Sequence, residues 1–176
     1  MLKELINKRQ SVRKYKSETV PAEAIAACIE AARLAPSACN AQPWKFVVVD
    51  DEALKKQVGE AAVGFGMNKF CSLAPCIVAV VLEKPNFTSA IGSVLKDKEY
   101  TLIDVGIAAE HFCLQAVELG LGTCMIGWFH EKKVRQLLGI PKNKRIPLLI
   151  TIGYSDDAPR EKVRKTTEQI CSRNHY

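Results

Sequence analysis

The chain has 176 residues, 48% of them hydrophobic and 25% charged, a balance that fits one globular domain able to bury about two thirds of its unfolded surface. Its 25 Lys and Arg against 19 Asp and Glu leave a formal charge of +6; the cations gather at two places without interleaved aromatics, which argues against nucleic acid and for a small anionic ligand. No apolar run reaches the roughly 20 residues of a membrane span, and Met1–Arg9 carries charge with no apolar run after it, so the expected location is cytoplasmic, with no membrane partner.

Leu2–Lys8 reads as a short helix with Leu2, Leu5 and Ile6 at helical spacing. Val20-Pro21 opens a second helix through Leu34, with Pro21 in its first turn, Thr19 as its cap and Ile25, Cys28, Ile29 and Ala32 on its apolar face. Pro36 ends it, and a polar loop leads to a β-branched strand, Trp44–Val49. Asp50-Asp51 caps a helix to about Ala62, Gly64-Phe65-Gly66-Met67-Asn68 is a break, and Ala74-Pro75 introduces the strand Cys76–Leu82. Glu83–Tyr100, with Pro85 and Gly92, is the least patterned stretch; it reads as a loop with one helical turn, either a lid beside a ligand site or an ordinary surface loop. Thr101–Leu119 is apolar on more than one face, which predicts burial both on the sheet and on another subunit. Gly120 ends that helix, and there follow a strand Gly122–Trp128, a short helix Glu131–Leu138, a strand Ile146–Tyr154 and a polar tail from Asp156 to Tyr176. Interleaved helices and strands without repeat or linker make residues 1–176 a single layered α+β domain.

Several chemistries find no support. The seven cysteines (28, 39, 71, 76, 113, 124 and 171) have no C-x-x-C spacing, so neither a disulfide framework nor a zinc site is expected. Cys28, Cys76, Cys113 and Cys124 lie in apolar stretches as small hydrophobes, while Cys39, inside the polar loop, is a candidate reactive thiol with no histidine nearby in the sequence. His111, His130 and His175 are scattered, and no G-x-G-x-x-G, H-E-x-x-H or Ser/His/Asp constellation occurs. The loop Ala35-Pro36-Ser37-Ala38-Cys39-Asn40-Ala41-Gln42-Pro43-Trp44 is longer and more polar than a connection needs. Its Asn and Gln amides each offer a donor and an acceptor, suited to a heterocycle with alternating C=O and N–H edges, or simply to satisfying nearby backbone groups.

That loop resembles the P-S-x-x-N-x-Q-P-W motif of the nitroreductase family. Arg9-Gln10-Ser11-Val12-Arg13-Lys14-Tyr15 is similar to the family's N-terminal R-x-S-x-R-x-[FY] element, Gly120-Leu121-Gly122-Thr123-Cys124-Met125-Ile126-Gly127-Trp128 to its G-L-G strand, and Ile152-Gly153-Tyr154 to its closing strand. The four blocks stand in family order and cover nearly the whole chain. The resemblance implies a three-layer α+β fold with a central mixed or antiparallel sheet flanked by helices, and a homodimer with the long central helix at the interface.

It also implies FMN as cofactor and NAD(P)H as co-substrate. Arg9, Ser11 and Arg13 then suit the phosphate, because guanidinium forks make bidentate, charge-assisted bonds, with Gln10 beside them. The second basic cluster holds Arg160, Lys162, Arg164 and Lys165; Arg164 best matches the family's second phosphate cation and Lys165 next, although Thr166 stands where the family often has proline. Pro36, Ser37 and Ala38 would approach the isoalloxazine from the partner subunit, with Asn40 and Gln42 nearby; at Ala38 and Cys39, where some relatives carry hydroxyls, only backbone contacts remain. Asn68 is the candidate amide for the ring. Met125-Ile126-Gly127 would pass along the flavin, a backbone N–H of Ile126 or Gly127 serving N5, with Gly127 allowing close approach and otherwise reading as a strand-end kink. Trp44 and Trp128 read as packing residues.

The function implied is an FMN-dependent oxidoreductase that carries hydride from NAD(P)H to a small-molecule acceptor such as a nitroaromatic or quinone, by ping-pong kinetics. A specialised flavin reaction on the same fold (reductive dehalogenation or flavin fragmentation) and a non-catalytic FMN-binding or storage protein are the alternatives. No side-chain acid or base is assigned, because in such an enzyme the cofactor carries the chemistry and the protein positions it.

Overall fold

Central strand β2 is apolar at every position, and the reason is that both of its faces are covered. The computed structural model describes residues 1–64, 66–84 and 98–176; most of the unpatterned stretch, with its lid reading, lies outside them. Four strands, β1 (Trp44–Val49), β2 (Cys76–Leu82), β3 (Gly122–Ile126) and β4 (Leu148–Gly153), form one sheet in the order β1-β2-β4-β3, and every neighbouring pair is antiparallel. Cys76, Val78 and Val80 face a layer made by α2 (Ala22–Arg33) and α4 (Tyr100–Glu118), while Ile77, Ala79 and Val81 face α3 (Glu52–Ala61) and α5 (Glu131–Leu137). Two helical layers around a sheet give the expected three-layer α+β architecture, with the mixed alternative resolved to an antiparallel ladder.

Local chemistry explains the ends of these elements. Asp51 caps α3 by accepting a hydrogen bond from Leu54 N at 2.8 Å. Helix α4 stops in a Schellman turn: Gly120 takes φ +76°, Leu121 N bonds Ala116 O at 2.8 Å and Gly120 N bonds Val117 O at 3.0 Å. Three expectations shift. Pro21 is the N-terminal flanking residue of α2 rather than a first-turn residue, and no side chain caps that helix, so Thr19 is not its cap. Strand β4 begins at Leu148, not Ile146, because Pro147 has no N–H to give the ladder. Strand β3 ends at Ile126, two residues early, where residues 127 and 128 turn toward Asn68. The tail also holds a short helix, α6 (Thr167–Ile170).

Helix α4 buries Val105, Ala108, Ala109, Phe112, Cys113 and Ala116 and stacks Phe112 on Phe46 with ring centroids 6.1 Å apart. Its opposite face leaves Leu102 at 42% and Ile103 at 56% exposure, so within one chain the helix is covered on one side. The N-terminal helix α1 (Leu2–Lys8) lies against α4, and the chain after it runs beside β3. There Ser11 makes a parallel bridge to Thr123, and Val12 N bonds Thr123 O at 2.9 Å. The Tyr15 hydroxyl fastens the same segment to β4, 2.7 Å from the Thr151 hydroxyl and 2.9 Å from Val12 O; burial holds its pKa well above the ordinary tyrosine range.

Gly122 permits this approach, since a Cβ there would stand 2.5 Å from Val12 Cγ2 and 3.0 Å from Val12 Cβ. A β-branched side chain on a paired segment has no rotamer to retreat into. Gly122→Ala is therefore expected to destabilise the fold by about 1–3 kcal/mol, read as a lower denaturant midpoint; an unchanged midpoint would show that the segment yields without strain.

Candidate functional site

Residues 9–16 are gripped on one side by β3 and on the other by the C-terminal tail. Lys16 N bonds Tyr154 O at 3.0 Å, Asp156 N bonds Lys14 O at 2.9 Å, and Arg13 N donates to Asp157 Oδ2 at 2.7 Å. Gln10 uses both ends of its amide on the tail, donating from Nε2 to Ala158 O at 3.1 Å and accepting at Oε1 from Arg160 N at 3.0 Å. Farther along, the Arg160 guanidinium donates to Ser11 O and the Lys162 ammonium to Arg9 O. The two basic clusters of the sequence thus become one.

This cluster holds more positive charge than its own carboxylates answer. Arg9 meets Glu110 at 3.5 Å, and Arg160 lies 3.8 Å from Asp157, a carboxylate already engaged by Arg13 N. Burial, then Arg9 and Arg164, push the Lys162 ammonium below the ordinary lysine range, with Glu110 opposing. Burial raises the Cys124 thiol pKa, but Arg13, the Ser11 hydroxyl, Arg160 and Arg9 all pull it back. Arg9, Arg13, Arg160 and Lys162 therefore converge beside β3, with Arg164 close enough to repel Lys162. Lys165 is exposed on the tail.

The Pro36–Gln42 loop is built from unusual backbone. Cys39, Asn40 and Gln42 have φ of 51°, 51° and 46°, a left-handed conformation that costs about 1–2 kcal/mol at a residue with a Cβ and is easiest for Asn. Side chains hold it. Ser37 Oγ accepts from Gln42 N at 3.0 Å, Gln42 Nε2 donates to Asn40 Oδ1 at 3.0 Å, and the carboxylate of Asp104 accepts from Ala38 N with its oxygens at 3.1 and 3.2 Å. The two amides bond to each other, Gln42 Nε2 donating to Asn40 Oδ1 and to Asn40 O at 3.3 Å, while Gln42 Oε1 and Asn40 Nδ2 take no part in these bonds. Pro36 is exposed at the start of the loop.

The third part is the end of β3. Ile126 is buried and Gly127 exposed, and a Cβ on Gly127 would meet no protein atom within 4 Å. Asn68, left-handed at φ 62°, donates Nδ2 to Trp128 O at 3.0 Å and to Ala62 O at 3.4 Å, so its amide fixes the backbone that follows Gly127. Trp128 is 57% exposed and lines a cavity of about 370 Å³ with Gly64, Phe129 and His130; Trp44 packs against the α2–α4 core. Cys39 and Cys171 are exposed and the other five cysteines buried. Among the described residues no cluster of three His, Cys, Asp or Glu could hold a metal ion, and no helix is long and apolar enough to cross a membrane.

Registers fix where these parts lie. Trp44 pairs with Leu82, Val80 with Leu148 and Leu149 with Ile126, so the loop entering β1 and the Ile126–Gly127 step share one end of the sheet but stand on opposite edges. Three strand spacings separate them, about 14 Å. The structure brings Arg9, Gln10, Ser11 and Arg13 to the β3 edge, the same edge as Ile126, Gly127 and Asn68, and leaves Pro36, Ser37, Ala38, Asn40 and Gln42 on the other. Asp104 and the tail carboxylate Asp157 are the contributors that sequence reasoning missed; each acts on a residue 66 or 144 positions away, a contact no local pattern announces.

The sequence model of the nitroreductase family matches residues 6–154. The chain belongs to the nitroreductase family. An oxygen-insensitive NADPH nitroreductase of Helicobacter pylori is 30% identical over 196 residues, covering 93% of this chain and 92% of the relative. An iodotyrosine deiodinase of Thermotoga neapolitana is 30% identical over 169 residues, covering 89% and 90%. Among solved structures, an FMN-dependent nitroreductase from Clostridium difficile superposes with a TM-score of 0.80 at 28% identity over 98% of both chains. The nitroreductase-family model stops at residue 154, so the tail that supplies Asp157, Arg160 and Lys162 falls beyond the matched region.

The tail is held at Gln10 by two hydrogen bonds of about 0.5–1.5 kcal/mol each. Gln10→Ala should therefore speed tryptic cleavage after Arg160 and Lys162 several-fold, with cleavage sites identified by mass spectrometry. Equal cleavage rates in the two proteins would show that the remaining tail contacts suffice.

Proposed function

We propose that this nitroreductase-family protein is an FMN-dependent oxidoreductase that uses NAD(P)H to reduce a small-molecule acceptor such as a quinone or nitroaromatic. The observation that carries the proposal is the convergence of Arg9, Arg13, Arg160 and Lys162 on one stretch of backbone beside β3, the strand whose far end leads to Gly127 with open space around it. Like charges held together favour an anion among them, and a phosphate monoester matches guanidinium and ammonium donors in charge and geometry. The residues therefore fit FMN. Of the four tail cations weighed for its phosphate, Arg160 and Lys162 have the strongest claim, because their side chains already reach Ser11 and Arg9; Arg164 stands behind them and Lys165 last.

Bound FMN would supply the hydride chemistry, exchanging electrons with NAD(P)H and then with the acceptor. The chain's own residues have three tasks. Arg9, Ser11 and Arg13 anchor the phosphate with the tail cations. Asn68 holds the 127–128 backbone, where the N–H of Ile126 or Gly127 would serve the ring N5, with no side chain on Gly127 in the way. The Pro36–Gln42 loop supplies backbone and amide groups for the ring edge. Because that loop lies on the far edge of its own sheet, the proposal includes a homodimer in which each chain's loop serves the other chain's flavin, and the exposed Leu102 and Ile103 of α4 support it. One opening shared in turn by NAD(P)H and acceptor predicts ping-pong kinetics.

The test is the visible spectrum of the purified protein during anaerobic addition of NADH or NADPH, followed by a quinone, a nitroaromatic and, given the deiodinase relative, a halogenated phenol. Flavin bands that bleach and then return with an acceptor are expected; bands that never bleach would indicate a binding or storage protein. Arg160→Ala and Lys162→Ala should each weaken FMN binding by about 1.5–3 kcal/mol, roughly 10- to 150-fold, while Lys165→Ala should leave it unchanged. The reverse pattern would move the phosphate site along the tail.

A further inference from the structure

We infer that Asp104 is a positioning residue whose buried carboxylate holds the Ser37–Gln42 loop in the shape that presents it to a flavin bound on a second copy of the chain. The inference rests on the FMN reading above and adds to it a residue that contributes no atom to the cofactor.

Asp104 is the fifth residue of α4, too far into the helix to cap it, and aspartate is a poor helix former in such a position. It is also 4% exposed, and a carboxylate removed from water is tolerated when hydrogen bonds replace its solvent. Neither helix propensity nor core packing asks for an acid there. The described bond that answers the burial is to Ala38 N, with both oxygens within 3.2 Å. Ala38 opens the turn in which Cys39, Asn40 and Gln42 all adopt left-handed backbone. Such a run does not hold itself, and conformations of this kind persist where surrounding structure over-determines them. The Ser37–Gln42 and Gln42–Asn40 bonds close the loop on itself, whereas Asp104 ties it to the body of the molecule. That tie comes from α4, the helix whose outer turn exposes Leu102 and Ile103, so one element both sets the loop and offers the apolar face on which a second copy would seat.

The bond can be removed from either side. Asp104→Ala deletes the acceptor. Ala38→Pro deletes the donor at a turn-opening position that suits proline, since Ser37 before it is extended at φ −147°, ψ 154°. Each variant is expected to weaken FMN binding at least tenfold and to speed amide exchange across residues 38–42, with the unfolding midpoint of the FMN-free protein moving far less than the affinity does. The double variant should be no weaker than the worse single one, and Asp104→Asn, which keeps an acceptor for the Ala38 N–H, should bind within about threefold of the parent. Parent-like affinity in Asp104→Ala, or in Ala38→Pro where Asp104→Ala does not fold, would overturn the inference, as would losses that multiply in the double variant. Mixed dimers of Asp104→Ala and Arg13→Ala chains test the arrangement across subunits. One site of parent affinity per dimer is expected, and two weakened sites would place loop and flavin in the same chain. A parent protein that binds no FMN would instead remove the functional reading itself.

Discussion

Because the strands lie in the order β1-β2-β4-β3, the loop that enters β1 and the glycine that follows β3 are held on opposite edges of a rigid sheet. No side chain of the loop spans a gap of about 14 Å, and β2 and β4 between them are buried on both faces. The separation is therefore fixed by the core itself. In the proposed reading, a flavin seated along β3 would take its phosphate donors from its own chain, and a loop shaped for the ring would come from a second copy. The apolar outer turn of α4 supplies a face for that meeting, so the core of each chain sets the distance that pairing of chains would close.

A second consequence concerns charge. The segment 9–16 and the tail are more than 140 residues apart in sequence, yet they lie side by side, joined mostly through backbone atoms: Arg13 N, Lys14 O, Ser11 O and Arg9 O all take part. Carbonyl oxygens that accept from Arg160 and Lys162 offset part of the repulsion among four cations without neutralising any of them. Glu110 and Asp157 pair with Arg9 and Arg160, which leaves an excess of positive charge on this edge of the sheet, where exposed charges act over about 8 Å at physiological salt. Burial is the main cause of the shifts at Lys162 and Cys124, raising the thiol and lowering the ammonium; the neighbouring cations add to the lowering of Lys162 and oppose the rise at Cys124.

Much of this was legible in the chain. The strands Trp44–Val49 and Cys76–Leu82 were readable to the residue, because β-branched runs were bounded by Pro43, Asp50 and Pro75. Gly120 marked the end of α4 for a plain reason, since only glycine takes φ +76° without penalty. The sequence misjudged places where a missing donor or a distant partner decides: Pro147 delays β4, and the Asn68 amide draws residues 127 and 128 out of β3. In the candidate site the motif blocks named segments without their supports. Gln10 stood among the cofactor-binding candidates, whereas its amide is engaged at both ends by Ala158 and Arg160; Asp104 stood inside an apolar helix with nothing local to distinguish it from a solvated acid. Both depend on contacts that exist only after the chain has folded.

The parts proposed to bear on a bound flavin are mostly backbone. Three left-handed residues set the 37–42 loop, an exposed glycine opens the end of β3, and an asparagine in the left-handed region fixes the step that follows. Side chains such as Ser37, Asp104 and Asn68 act on these backbones instead of reaching for a substrate. That division suits an enzyme whose cofactor does the chemistry, for which the protein's contribution is position and electrostatic environment. On the proposed reading it would also explain why no acid, base or nucleophile could be named from the residue types alone: the arrangement lies in which peptide groups are held in place, with Asp104 buried in the core and Asp157 on the tail among the side chains that hold them.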